Sequence, residues 1–143
     1  MRVTFFVFTV CLALLGCTTV PMGDPIRDTT LKEFRAPIDR TGVYIYRNES
    51  FGGAIRMDIL VNGSEIGSTA AKTYLYTELT PGKYTITSKS ENSDSIEIDA
   101  KPNTVMFIWQ EVKMGFMYAR TKLHLATKEA GEIGVKESKL AVR

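Results

Sequence analysis

Asp58-Ile59-Leu60-Val61-Asn62-Gly63-Ser64-Glu65-Ile66-Gly67, followed by Leu79-Thr80-Pro81-Gly82-Lys83-Tyr84-Thr85-Ile86, is the part of the chain that decides its fold class. Asn62-Gly63 stands between two short apolar, β-branched runs. Asn and Gly are the residues that best tolerate the positive φ angles a two-residue hairpin turn requires. Pro81-Gly82 makes a second tight turn, with proline pre-setting φ and glycine supplying the positive φ that follows. Turns this close together leave room only for short strands, predicted at 56–61, 64–68, 73–79 and 83–90.

The same pattern extends in both directions. Upstream, Val43-Tyr44-Ile45-Tyr46-Arg47 is a β-branched and aromatic run, predicted as a strand. Downstream, 95–100 alternates, with Ile96, Ile98 and Ala100 inward and Ser95, Glu97 and Asp99 outward. Pro102-Asn103 turns the chain, and 104–112 is apolar on both faces, which predicts a central strand covered on both sides. Gly115 breaks that run, and 116–125 alternates again. From Thr127 to 139 the spacing of Glu129, Ala130, Ile133 and Lys136 is helical; Thr127 serves as cap, and Gly131 and Gly134 weaken the helix. The predicted fold is an antiparallel β-sandwich of about seven to eight short strands with a short C-terminal helix.

The amino terminus follows a different logic. Arg2 precedes an apolar run, Val3 to Leu15, that ends at the small Gly16. A basic start, a short apolar stretch and small residues before a cut make an export signal. The run is shorter than the roughly 20 residues that span a bilayer as a helix. Leu14-Leu15-Gly16-Cys17 resembles the lipobox of bacterial lipoproteins. That resemblance implies a diacylglyceryl thioether on Cys17, cleavage before it, and acylation (palmitate) of the new terminus. Thr18, where an Asp would favour inner-membrane retention, implies an outer-membrane address facing the periplasm. The plainer reading is an ordinary signal with an incidental cysteine. The expected organisation is a signal at 1–16, a lipidated tether at 17–40 holding Pro21, Pro25 and Pro37, and the sandwich at 41–143. A short helix at 29–35, capped by Thr30 with Glu33 three residues on, is a secondary expectation.

Composition excludes several classes. The chain of 143 residues has 18 basic and 16 acidic residues, and the predicted signal removes only Arg2 among them, so no nucleic-acid-binding field is present. The two cysteines are Cys11 and Cys17, so a cleaved, lipidated chain has no disulfide.

The order strand, Asn-Gly with an apolar residue and Gly67, strand, Pro-Gly-Lys-Tyr, strand resembles the turn grammar of PEGA and carboxypeptidase-regulatory-like β-sandwich modules. With 43–47 and Lys139-Leu140 added, residues 41–140 resemble a family of small bacterial lipoproteins described only as a domain of unknown function. The matching positions are turns and core, so no catalytic residue follows from them.

Candidate chemistry is sparse. His124 is the single histidine, which with no free cysteine makes no ordinary zinc site, and no Gly-x-Ser-x-Gly elbow accompanies it. Asp94, Glu97 and Asp99 cluster around one strand and Asp58 and Glu65 flank the Asn-Gly turn; paired carboxylates can do acid–base work, but Glu97 and Asp99 fit the polar face of an alternating strand, the plainer reading. No calcium-loop spacing exists. No catalytic residue, metal or cofactor is predicted. Tyr44, Tyr46, Tyr74 and Tyr76 are the leading binding candidates, as a possible outward aromatic platform for sugar, peptide or protein; the plainer reading is half-exposed sheet positions that simply favour tyrosine. Phe51, on the glycine-rich Phe51-Gly52-Gly53 loop, is a further contact candidate. Trp109 is expected in the core. The functional expectation is a non-enzymatic envelope lipoprotein held to the membrane by its lipid and binding a protein or cell-wall component. The alternatives are an enzyme acting on envelope polymer or lipid, and a structural spacer or stress-response lipoprotein.

Overall fold

The computed structural model describes residues 20–143. The predicted signal peptide, its cleavage site and Cys17 lie outside the described residues.

The elements in chain order are α1 (Pro25–Leu31), β1 (Thr41–Arg47), β2 (Met57–Val61), β3 (Ser64–Thr69), β4 (Thr73–Leu79), β5 (Gly82–Lys89), β6 (Ser93–Ala100), β7 (Thr104–Met114), β8 (Ala119–Ala126), α2 (Lys128–Lys136) and β9 (Lys139–Leu140). The strands form two sheets, ordered β8-β7-β1-β4-β9 and β3-β2-β5-β6. This is the mainly-β sandwich with a C-terminal helix that the turns predicted. Asn62 and Gly63 both take positive φ, 48° and 80°, at the β2–β3 turn. The sandwich is not wholly antiparallel. β1 pairs with β7 in parallel, Tyr44 opposite Phe107 and Tyr46 opposite Trp109, and β4 pairs with β9 in parallel. Strand-forming sequence is the same for either direction, so only long-range pairing distinguishes them.

The five-stranded sheet is covered on both faces. Every residue of β1 is buried. Val43 and Ile45 join Ile59, Leu75, Ile86, Ile98, Ile108 and Leu123 in the inter-sheet core. Tyr44 and Tyr46 point the other way, into a second core with Tyr74, Phe107, Val135 and Leu140, packed against Leu31, Phe34 and Trp109. A polar chain crosses the first core: Thr69 Oγ1 donates to Gln110 Oε1, Gln110 Nε2 donates to Ser88 Oγ at 2.6 Å, and Ser88 meets Thr121 Oγ1 at 2.7 Å. All four side chains are buried, so each needs these partners.

The segment expected to be a tether is, from Val20 onward, part of the fold. Val20 is buried in the inter-sheet core. Gly23 N–H donates to the Leu140 carbonyl at 2.8 Å and Val142 N–H to that of Pro21 at 2.9 Å. The helix in this segment begins at Pro25, not near Thr29, because Asp24 caps it, accepting from Ile26 and Arg27 N–H at 2.7 and 3.0 Å. Proline at the first helical position loses no hydrogen bond. The 116–125 strand is also shorter than expected. It begins at Ala119, and 115–118 form its turn.

Candidate functional site

The outer face of the five-stranded sheet carries the features closest to a site, and α2 covers part of it. Thr127 Oγ1 accepts from Ala130 N–H at 3.3 Å to start the helix. Its buried stripe is Gly131, Gly134 and Val135. A Cβ at Gly131 would lie 2.1 Å from Phe107 Cγ, and one at Gly134 2.1 Å from Tyr46 Cε2. The two glycines therefore let the helix backbone rest on aromatic rings. They are contact points rather than weak points, which a reading of helix propensity alone does not reveal.

This packing buries the tyrosines proposed as a platform. Tyr44, Tyr46 and Tyr74 are buried and Tyr76 is half-buried, so they form no outward face. The sheet face they occupy is roofed by α1, Phe34 and α2. Three of the hydroxyls have partners: Tyr44 donates to the Leu31 carbonyl at 2.7 Å and Tyr74 to Asp28 Oδ1 at 2.7 Å, both part-buried, and Tyr76 to Glu78 Oε1 at 3.0 Å at the surface. Burial, with Glu78 nearby, pushes the Tyr44 hydroxyl up to about 12. Burial and the carboxylate partners raise Tyr74 and Tyr76 as well, and burial raises Tyr46. Phe51 is half exposed, on a loop fixed from below by the fully buried Arg47. That guanidinium donates to the carbonyls of Ile55, Phe51 and Gly52 at 2.5, 3.1 and 2.6 Å.

Beside the buried aromatics, a cleft of about 470 Å³ opens between the chain after α1 and the start of α2. Phe34, Val105, Phe107, Leu125 and Ala126 supply its apolar lining, and Lys128 and Glu132 its polar edge. Phe34 is set edge-on to Tyr44 and Phe107, with centroids 5.4 and 5.5 Å away. One wall is thus held by aromatic packing. The size falls within the roughly 300–1,000 Å³ range of small-molecule sites.

Further along β7 and β8 lies a grouping that includes His124. Its Nε2 is 2.7 Å from Glu111 Oε2, and its ring stacks on Trp109 with centroids 5.0 Å apart. Trp109 Nε1 donates to Glu49 Oε1 at 3.0 Å, while Glu49 Oε2 is buried without a hydrogen-bond partner. Trp109 is half-buried rather than a core residue, because its rung of the outer face lies at the margin of the helical cover. Two of the carboxylates noted in the sequence have structural partners: Asp58 accepts from Ser68 Oγ at 2.6 Å and Asp94 from Leu123 N–H at 2.8 Å. Among the described residues, no cluster of three His, Cys, Asp or Glu is placed to hold a metal, and no helix is long and apolar enough to cross a membrane.

The family model for a protein of unknown function, DUF2846, matches residues 37–122. The chain belongs to this family. The match takes in β1 to β7 and the start of β8, leaving α1 and α2 outside it. An uncharacterized protein of Haemophilus influenzae (strain Rd) is 31% identical over 135 residues, 93% of this chain and 80% of that protein. That alignment is too long to omit both helices, so the roofed outer face falls largely within the shared stretch.

Proposed function

We propose that this DUF2846 member is an envelope lipoprotein, anchored through Cys17, whose domain binds an apolar ligand without transforming it. The observation that carries the binding reading is the 470 Å³ cleft, apolar within and edged by Lys128 and Glu132. The cleft would take a small amphiphile, or an apolar side chain of an envelope protein or cell-wall component, with its polar end at the Lys128–Glu132 edge. Leu14-Leu15-Gly16-Cys17 supports the anchor, and the outer-membrane address rests on Thr18. The Asn62-Gly63 and Pro81-Gly82 turns support the likeness to PEGA and carboxypeptidase-regulatory-like modules.

Titration with an environment-sensitive fluorescent acyl probe tests the cleft. Saturable binding at one site is expected, weakened at least tenfold in Ala126→Trp, which fills the lining. Equal binding by Ala126→Trp rejects the cleft. Mass spectrometry of the exported protein tests the anchor, and an unmodified Cys17 thiol rejects it.

The His124–Glu111 pair favours a second reading, an enzyme acting on envelope polymer or lipid, since a carboxylate-oriented imidazole can act as a general base. An envelope substrate whose turnover disappears in His124→Gln would establish that reading over the first.

A further inference from the structure

The β7–β8 turn places Met114, Phe116, Met117 and Tyr118 in water, 79%, 93%, 77% and 53% exposed. Four large apolar or amphipathic side chains on one hairpin tip are costly to display unless something covers them. The tip is held in a fixed shape. Glu91, in the β5–β6 turn, accepts from the N–H groups of Phe116, Met117 and Tyr118 at 2.7, 3.1 and 3.1 Å. Those three donors, with Arg120 near, hold the Glu91 carboxyl below its ordinary range. Glu91 N–H and Ser90 Oγ both donate to the Ala119 carbonyl, at 3.2 and 2.9 Å. A Cβ at Gly115 would lie 2.1 Å from Glu91 Oε2, so glycine there is what admits the carboxylate.

Cations sit directly behind the tip. Lys113 and Arg120 are cross-strand partners, and Lys122 faces Glu111 two rungs further from the tip. Like charges directly opposite each other on a sheet are unfavourable without an anion between them. Glu111 lies 3.7 Å from Lys113 but also pairs with His124. Glu91 accepts from the backbone of the tip and also lies near Arg120, so the Lys113–Arg120 rung has Glu111 beside one cation and Glu91 near the other. Lys89 adds a further exposed cation two residues before Glu91.

We propose that this tip is a membrane-docking site for an anionic phospholipid surface, separate from the acyl anchor. Phe116, Met114 and Met117 enter the acyl boundary, Tyr118 sits at headgroup level, and Lys113 and Arg120 meet the phosphates. Aromatic residues at the interface flanked by cations are the pattern such a surface selects. The tip offers on the order of 500 Å², below the roughly 800 Å² each partner brings to a standard protein interface. Its convex shape suits a fluid bilayer that closes around it. The site also lies across the sheet from Val20: β7 and β8 form one edge of the five-stranded sheet, while Val20 leads into the segment paired with Ala141 beyond β9 at the other.

Both cores lie within residues 20–143, so the chain from Thr18 onward, which carries no acyl group, isolates this contact from the anchor. Co-sedimentation is measured with vesicles of phosphatidylcholine containing phosphatidylglycerol, against phosphatidylcholine alone. The expected result is binding to the anionic vesicles, at least tenfold weaker for Phe116→Ser and for the double variant Lys113→Gln, Arg120→Gln, and weakened by salt. A tryptophan placed by Phe116→Trp should shift to the blue and be quenched by brominated lipid, whereas one placed by Ile38→Trp, at another exposed site, should not. Equal binding by wild type and Phe116→Ser, or an unshifted Phe116→Trp emission at saturating anionic vesicles, overturns the proposal. Either result leaves lipidation of Cys17 and the cleft untouched.

Discussion

Replacing Gly134 with alanine should destabilise the protein, although the same change in an exposed helix stabilises by about 1 kcal/mol. The reason is the ring beneath it. The new Cβ would lie 2.1 Å from Tyr46 Cε2 and 2.6 Å from Cδ2. Carbon atoms in contact rest about 3.5–4.0 Å apart, so α2 would have to retreat by on the order of 1.5 Å. A gap of only about 0.5–1 Å already forfeits a quarter to a half of the dispersion energy of each contact it opens. Tyr46 cannot yield instead, being 4% exposed within the second core. Overpacking a fixed core costs about 1–3 kcal/mol, and the overlap here, against ring carbons rather than the end of a flexible chain, belongs at the upper end. After the propensity gain, a net loss of about 2 kcal/mol remains. With a urea dependence of about 1–3 kcal/mol per molar, the unfolding midpoint should fall by about 1 M at unchanged slope. Gly131→Ala, whose Cβ would meet Phe107 Cγ at 2.1 Å, should behave alike. Gly53→Ala, where the nearest atom is 3.5 Å away, is the control and should change little. A midpoint for Gly134→Ala equal to or above wild type would refute the claim that the glycines seat the helix on the sheet.

Other consequences are measurable. Because burial raises Tyr44 from 10.0 to about 12 and raises Tyr46, Tyr74 and Tyr76 too, their contribution to stability is complete below pH 10 and lost as pH climbs through the raised values; near-ultraviolet absorbance should show these four ionising late and together with unfolding, and full tyrosinate formation at pH 10 with circular dichroism intact would contradict their burial. Glu91 has the opposite sign: its carboxyl is held below the ordinary 4.5, so its hold on the β7–β8 turn persists above that pH and fails as pH falls through the lower folded value. Amide exchange at Phe116, Met117 and Tyr118 should accelerate over that acid range in wild type and already be fast at neutral pH in Glu91→Gln. Arg47→Met should cost about 3 kcal/mol, read by thermal or urea unfolding, since it leaves the carbonyls of Phe51, Gly52 and Ile55 without their charged donor.

Much of the sandwich was legible because its signals are local. Asn62-Gly63 marks a turn by backbone chemistry alone, whereas Gly82 at φ 151° opens β5 as the chain crosses from one sheet to the other; the alternation of Ile96, Ile98 and Ala100 depends only on the two-residue period of a strand. The double cover of β7 was legible from Val105 through Trp109, a run with no polar face to give to water. The α1 helix was misplaced because Thr30 and Glu33 imitate a cap, whereas the Asp24-Pro25 pair supplies the real one. The site was far less legible. Tyr44, Tyr46, Tyr74 and Tyr76 alternate with aliphatic residues on strands, and tyrosine suits a solvated face and a covered one equally when its hydroxyl has a partner. The deciding partners, the Leu31 carbonyl and Asp28, belong to a segment that composition describes as a linker. Phe34, Ala126 and Lys128 share a cleft only because the chain after α1 and the start of α2 meet over β7, and no spacing in the sequence encodes that meeting.

The sequence by itself determined where the chain turns and which aliphatic positions of its alternating strands face a core. Turn chemistry and side-chain alternation are properties of a few neighbouring residues, so they survive without knowledge of the fold. Only the tertiary structure decided that β1 and β7 run in parallel, that two short helices roof the tyrosine face, and that Gly131 and Gly134 are seats for aromatic rings. Each of these depends on residues tens of positions apart arriving within contact distance, and the free energy that fixes them is burial shared across elements rather than a preference held by any one of them.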